Sequence, residues 1–273
     1  MKSRRRLLAI VKHGLLGIWA VFALFPLVWM IIMSFKQEAD MLTTTFIFEP
    51  TLENFRLVFL HSDYLRYFLD SVITSVSAVL LSVLLGVPAA YAFARYNFRY
   101  KEGLAFQILS FRFAPELLVV LPLFMIYQRI GLFDTYIGLI WVFQLISMPL
   151  IIWVVRGYFE DISVEIEHAA QVDGYNWWHV FLKTLVPLIK PGLVSSALLA
   201  FIFVWNSFTF PLLLTLFNVS TVTVNAMRFL HSHTVQYGQM AVVATVSSLP
   251  AVIFALLIQK HLVRGLSFGA VKG

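Results

Sequence analysis

Six long stretches of the chain are almost free of charge, and short polar segments separate them. They run roughly over 14–34, 67–93, 104–127, 136–156, 192–214 and 240–260. A helix needs about 20 apolar residues to cross a hydrocarbon core. None of the runs alternates as a half-buried strand would. In lipid only helices and closed barrels satisfy their own backbone, so the pattern predicts six transmembrane helices in an all-α, polytopic membrane protein. Pro26, Pro88, Pro115, Pro122, Pro149 and Pro250 fall inside or near these spans. Neighbouring helices or water make prolines tolerable there.

One polar interruption is longer than its neighbours, residues 157–191. Ser163 is placed to cap a helix whose first turn holds Glu165, where the helix dipole favours an acid. Val164, Ala169, Ala170 and Val172 supply its apolar positions. Gly174 suits a left-handed end to that helix. Asn176 then caps a second arm, Trp177 to about Val186, which Pro187 and Pro191 are expected to break. The segment reads as helix, glycine turn, helix. The small Ala169 and Ala170 admit a close partner surface, and Glu165, Glu167 and Asp173 invite its Arg or Lys. An interfacial loop helix with no special role is the plainer alternative.

Composition sharpens the class. The 273 residues are 60% hydrophobic and 12% charged, against about a quarter charged in soluble domains, and mean hydropathy is +0.85. The net charge of +6 sits in short blocks beside apolar runs, which argues for membrane orientation rather than nucleic-acid binding. Lys2, Arg4, Arg5, Arg6 and Lys12 precede the first run, and Arg95, Arg99, Lys101, Arg156, Lys183, Lys190, Lys260, Arg264 and Lys272 fall on the same side. The opposite side holds only Lys36, Arg56, Arg66, Arg129 and Arg228. Lys and Arg mark the cytoplasmic side, so both termini and the 157–191 segment are expected to be cytoplasmic. The first run is too long for the apolar core of a cleaved leader and lacks a small-residue cleavage site. Trp19, Trp29, Trp153, Trp177 and Trp178 near span ends fit interfacial anchoring. With no cysteine, disulfides and thiolate metal sites are excluded.

Three polar residues inside spans stand out as a candidate translocation pathway: Arg112, Glu116 and Asn206. Arg112 and Glu116 are four apart, so on one continuous helix they share a face and can pair. Intramembrane ions usually face a bundle interior or an aqueous cavity. A self-neutralised structural pair and a pathway lining both fit. Asn206 fits a pathway or interhelical hydrogen bonding equally. Gln144 and Ser147 are weaker pathway candidates, and Ser71, Thr74, Ser75, Ser77 and Ser82 fit helix packing. His231 and His233 form an H-x-H pair without an evident third ligand, so no metal site is expected. The chain has no G-x-x-x-x-G-K-[ST] phosphate loop, no H-E-x-x-H and no G-x-S-x-G. It carries no catalytic set, and no ATP site of that kind.

The run "EHAAQVDG", with Pro187 thirteen residues after Gly174, resembles the cytoplasmic EAA signature of ABC importer permeases. Ala169, Ala170, Gly174 and Pro187 match at its spacing, and Asp173 matches the sugar-importer version. His168 stands where the signature has Glu, with Glu167 one position earlier. Tyr175, Thr184 and Val186 also depart from it. "TLENF" (51–55), "GLFDTYIGLI" (131–140), "FVWNSF" (203–208) and "GLSFGAVKG" (265–273) extend the likeness along nearly the whole chain. Together they are similar to the maltose-type, carbohydrate uptake class 1 permeases.

That resemblance implies a type I ABC importer permease, one domain over 1–273, in a bacterial inner membrane. It implies that Glu165, Glu167, His168, Ala169, Ala170, Asp173 and Gly174 form an ATPase-coupling segment. It also implies partners: a second, homologous permease, two ATPase subunits that bind ATP and Mg²⁺, and an extracytoplasmic solute-binding protein. No cofactor belongs to this chain. The solute expected is a sugar or polyol, with an acidic sugar or a glycerol derivative within that range. The rival reading is a self-contained secondary transporter or channel. The chain shows neither internal repeats nor a set of intramembrane acids for that.

Overall fold

The computed structural model describes residues 2–227 and 236–268, with side chains over 10–227 and 236–259. The His231–His233 pair, the tail 269–273 and the side chains of Lys2, Arg4, Arg5, Arg6, Lys260 and Arg264 lie outside the described set. The described elements are all helical. In chain order they are α1 (Lys2–Ser34), α2 (Glu53–Leu60), α3 (Tyr64–Arg95), α4 (Lys101–Ser110), α5 (Glu116–Ile130), α6 (Tyr136–Val142) and α7 (Gln144–Asp161). Then come α8 (Val164–Val172), α9 (Trp177–His179), α10 (Val186–Trp205), α11 (Thr209–Leu214), α12 (Val222–Ala226) and α13 (Tyr237–Phe268). Four helical runs are long and apolar enough to cross a bilayer alone: Ile10–Ser34, Tyr64–Arg95, Trp177–Trp205 and Tyr237–Gln259. Two further helix pairs pass the same test together but are bent, and counted as one span each they bring the number to the six that the hydropathy pattern predicts.

Where the spans break, the chain departs from expectation for identifiable reasons. The third run is not one helix. Lys101–Phe113 and Glu116–Ile130 meet at 93°, because Pro115 lacks an N–H and forces Ala114 into extended backbone (φ −63°, ψ 133°). Conversely, Pro187 and Pro191 break nothing. The helix runs from Trp177 to Trp205, with a π-helical stretch at Val180–Leu185 whose wider turns feed Pro187 into the opening turn of α10. Beside Pro191, Gly192 lets α10 lie against α7: a Cβ there would come within 2.3 Å of the Tyr158 ring.

The chain divides into two compact units. One comprises Met1–Leu65 with Asn225–Ser248. Here α1 is exposed from Ile10 to Val28, with large apolar side chains such as Ile18, Val21 and Phe22 along it. Its exit is folded around Lys36, which is 0% exposed. The ammonium donates to the Thr43 carbonyl at 2.8 Å and sits 4.9 Å from the Trp29 ring centroid. Asn54, from the "TLENF" motif, donates to the carbonyls of Ser34 (3.1 Å) and Lys36 (2.8 Å), tying α2 to the end of α1.

The other unit comprises Arg66–Val224 with Leu249–Gly273. Its core gathers Ala78, Val120, Leu139, Phe143, Val204 and Leu214. A polar fastener crosses that core: Ser82 donates to Gln144 Oε1 (2.5 Å) and meets Ser147 Oγ (2.6 Å), while Gln144 Nε2 donates to Ala78 O and Ile140 O. Gln144 and Ser147 thus join α3 to α7.

At the end predicted to be external, Asp134 gathers the loop after α11. It sits at φ 56°, a left-handed conformation that Asp tolerates better than most residues. Its carboxylate accepts four backbone N–H groups: Leu216 (2.8 Å), Phe217 (3.0 Å), Asn218 (2.9 Å) and Val219 (3.2 Å). Arg66 donates to the carbonyls of Phe217 and Asn218. Asp70 accepts from Ser220 N at 3.1 Å, and Ser71 Oγ from Val222 N at 2.8 Å.

Burial pushes the Asp134 carboxyl up, but the four backbone donors outweigh it and hold it below its ordinary value. The stabilisation is therefore complete above about pH 3.8, the ordinary value, and is lost as pH falls through the lower folded-state value. Asp134→Ala, which strands those donors, is expected to cost about 2 kcal/mol or more. The measurement is thermal unfolding of the purified protein at neutral pH. The difference from wild type should shrink as the sample is acidified below the ordinary carboxyl range.

Candidate functional site

The bracket predicted between residues 157 and 191 forms as its caps dictate. Ser163 Oγ accepts from Glu165 N at 3.3 Å, and α8 follows. Gly174 turns the chain at φ +85°. Asn176 Oδ1 accepts from His179 N at 2.9 Å and opens the second arm. Nothing lies within 4 Å of a Cβ built on Gly174. The glycine is required by backbone conformation, not by crowding.

Glu165, His168, Ala169, Asp173 and Gly174 are exposed, and Ala170 is half-buried. Apolar surface is exposed with them: Val172 at 87%, with Val164 and Tyr175. Glu167 behaves differently. Only 6% exposed, it is turned into its own chain, where the expectation placed it among the acids offered to a partner. Arg95 Nε donates to Glu167 Oε1 and Tyr91 OH donates to Oε2 at 2.8 Å. A second Arg95 nitrogen donates to Ile162 O at 2.8 Å, where the bracket begins.

Tyr91 also grips the other arm. Its ring packs edge-on against Phe159 (5.4 Å), Trp177 (5.8 Å) and Phe181 (5.4 Å). Trp177 is therefore part of a packed aromatic cluster, while Trp178 remains exposed. The C-terminal end of α3 thus holds both arms of the bracket. Sequence reasoning missed Tyr91 and Arg95. Their signal was an i,i+4 Tyr–Arg pair on one helix face, where the cation was counted only for orientation.

The second site is a cavity of about 250 Å³ at the break between α4 and α5, lined by Arg112, Glu116, Phe203 and Phe210 among others. Arg112 lies in the single 3₁₀ turn Phe111–Phe113 that follows α4. The expected local pairing with Glu116 does not occur. No ion pair among the described residues includes either side chain, because the 93° bend removes the shared helix face. Arg112 instead donates to Ile146 O on α7 at 3.1 Å and stacks 4.0 Å from the Phe203 ring centroid on α10. Asn206 is not among the lining residues. It ends α10, exposed, with its amide turned back onto Ile202 O at 2.7 Å. Arg112 and Glu116 meet at one cavity, and Asn206 stands apart.

Six apolar spans, two of them broken, with a polar bracket between the fourth and the fifth, define a polytopic permease of the type I importer class. Residues 82–268 match the family described as binding-protein-dependent transport system inner membrane component, and the chain belongs to that family. It is 35% identical over 266 residues to the trehalose transport system permease protein SugB of Mycobacterium tuberculosis, covering 93% of this chain and 97% of that one. It is 32% identical over 276 residues to the trehalose/maltose transport system permease protein MalG of Thermococcus litoralis, covering 98% of each. A crystal structure of a bacterial ABC transporter involved in the import of the acidic polysaccharide alginate shares the fold. Its TM-score is 0.79 over 93% of this chain and 96% of that chain, at 24% identity.

Removing one partner of a buried ion pair leaves an uncompensated charge, at a cost of about 3–5 kcal/mol. Glu167→Gln is therefore expected to accelerate amide hydrogen exchange over 164–172 while the middle of α3 keeps its protection. The exchanged pair Arg95→Glu with Glu167→Arg should recover part of that protection. Unchanged exchange in Glu167→Gln would mean that the pair does not hold the bracket.

Proposed function

We propose that the chain is the transmembrane permease subunit of an ATP-driven importer that moves a carbohydrate-type solute into the cytoplasm by alternating access. In this reading the exposed face of α8, with Glu165, His168, Ala169, Ala170, Asp173 and Gly174, is the coupling surface. It docks on a cytosolic ATPase subunit, and paired ATPase subunits hold ATP and Mg²⁺. ATP closes that pair, the bracket is carried with them and the cavity opens outward. A solute-binding protein then delivers its cargo, and hydrolysis restores the inward-open state.

The observation that carries the reading is the bracket itself: an exposed, partly apolar helix whose one buried acid is pinned to α3. Such a surface is costly in a solitary chain and suited to rigid docking. The exposed α1 supports a second, homologous permease alongside. Sugar permeases among the relatives support a sugar or polyol as cargo, and an acidic sugar or glycerol derivative lies within that class. The Lys and Arg distribution supports a cytoplasmic location for both termini.

The first test is purification from the native membrane. The chain should co-purify with an ATPase subunit and a second permease, and uptake should stop when that ATPase is inactivated. Uptake that persists would favour a self-contained transporter.

The turn provides the second. A β-branched residue at a left-handed position is strained by about 1–2 kcal/mol, so Gly174→Val should raise the ATP hydrolysed per solute imported. Gly174→Asn, which tolerates φ > 0 better, should stay closer to wild type. Equal coupling in all three proteins would overturn the assignment of the turn.

A further inference from the structure

We propose that the cavity at the α4–α5 break is a subsite for one ring of an acidic sugar, with Arg112 as its anion-binding group. This rests on the transporter reading above and adds the charge of the solute to it. Three observations carry it. First, Arg112 is a cation at the break of an apolar helix pair, and the described residues leave it largely unanswered. A guanidinium has five N–H donors, and the acceptor it finds among the described residues is the single Ile146 carbonyl. Among the described residues no carboxylate pairs with it. A charge left so in a low-dielectric site normally has a partner or a pathway role.

Second, the guanidinium is held still. Phe203 lies under it at 4.0 Å and Ile146 fixes one nitrogen, so the remaining edge is presented in one orientation. A planar fork of donors matches the oxygens of a carboxylate or sulfonate, and charge-assisted bonds of this kind are roughly twice as strong as neutral ones. Hydroxyl groups alone would leave the charge uncompensated.

Third, the walls complete a sugar site. Phe111, Phe203 and Phe210 line a volume of about 250 Å³, the size of one ring with its substituents. Glu116 lines it too, but it lies in the first turn of α5, where the helix dipole favours its charge. It makes no ion pair with Arg112. The cavity therefore offers a cation at one place and a hydroxyl-accepting carboxylate at another. A ligand with an anionic group and several hydroxyls on one ring satisfies both.

The test uses the full chain purified with its partners, and glucuronate and glucose as probes. Phenylglyoxal modifies accessible arginines, and peptide mass spectrometry reads Arg112 separately from the others. Glucuronate should protect Arg112 at a concentration at least about tenfold below that needed for glucose. Equal protection by both sugars, or protection by neither, overturns the proposal.

Arg112→Gln supplies an independent reading. Glucuronate should raise the unfolding temperature of the wild-type assembly and not that of the variant. An equal thermal shift in both also overturns it. These readouts concern one side chain and its ligand, so they fail separately from the coupling ratio measured with the Gly174 variants.

Discussion

In hydrocarbon a backbone amide has no water to turn to. Every place where this chain stops being a helix must therefore be repaired from within, and the polar side chains of the spans gather at those places. Arg112 stands at the α4–α5 bend and reaches the Ile146 carbonyl. Gln144, at the α6–α7 bend, returns a donor to Ile140 O. Asn206, where α10 ends, turns onto Ile202 O. Beyond α11, one carboxylate, that of Asp134, receives four consecutive N–H groups. The polar residues that look anomalous in an apolar sequence are largely the stitches of its breaks.

That rule separates structural polarity from polarity with something left over. Gln144 and Ser82 answer each other within the chain. Glu167 is likewise answered, by Arg95 and Tyr91. Arg112 differs, because the one carbonyl it reaches, Ile146 O within α7, does not neutralise a guanidinium. In the proposal above, a ligand at the Arg112 cavity answers that surplus, whereas Glu167 has no such surplus and is held to α3.

Hydropathy made the six spans legible, and local capping made the bracket legible. Ser163, Gly174 and Asn176 act where their chemistry says, because each effect is confined to one turn. What the sequence hid was everything that depends on partners distant along the chain. Pro115 bends its span by 93° while Pro191 leaves a helix intact, and the two prolines look alike in the sequence. The difference lies in what surrounds them: extended backbone at Ala114, against a helix tightly packed on Tyr158 through Gly192. Arg112 and Glu116 were legible as odd, but their pairing was inferred from a helix that the same Pro115 removes. Arg95 met Glu167 across 72 residues, a contact no local pattern announces.

These pieces share two helices. The bracket joins the end of α7 to the start of the helix that becomes α10, and Tyr158 against Gly192 packs those helices without a gap for a single methyl group. Interiors packed to that density transmit displacement rather than absorb it. Arg112 takes its carbonyl from α7, through Ile146, and its aromatic platform from α10, through Phe203. A pull on the bracket, in the proposed mechanism, therefore moves both groups that orient the guanidinium as one body. The ion pair to Arg95 keeps α3 from being left behind. In that mechanism the proposed cargo site and motor contact need no separate signalling route, because Ile146 and Phe203 lie toward one end of α7 and α10 and the bracket joins the other.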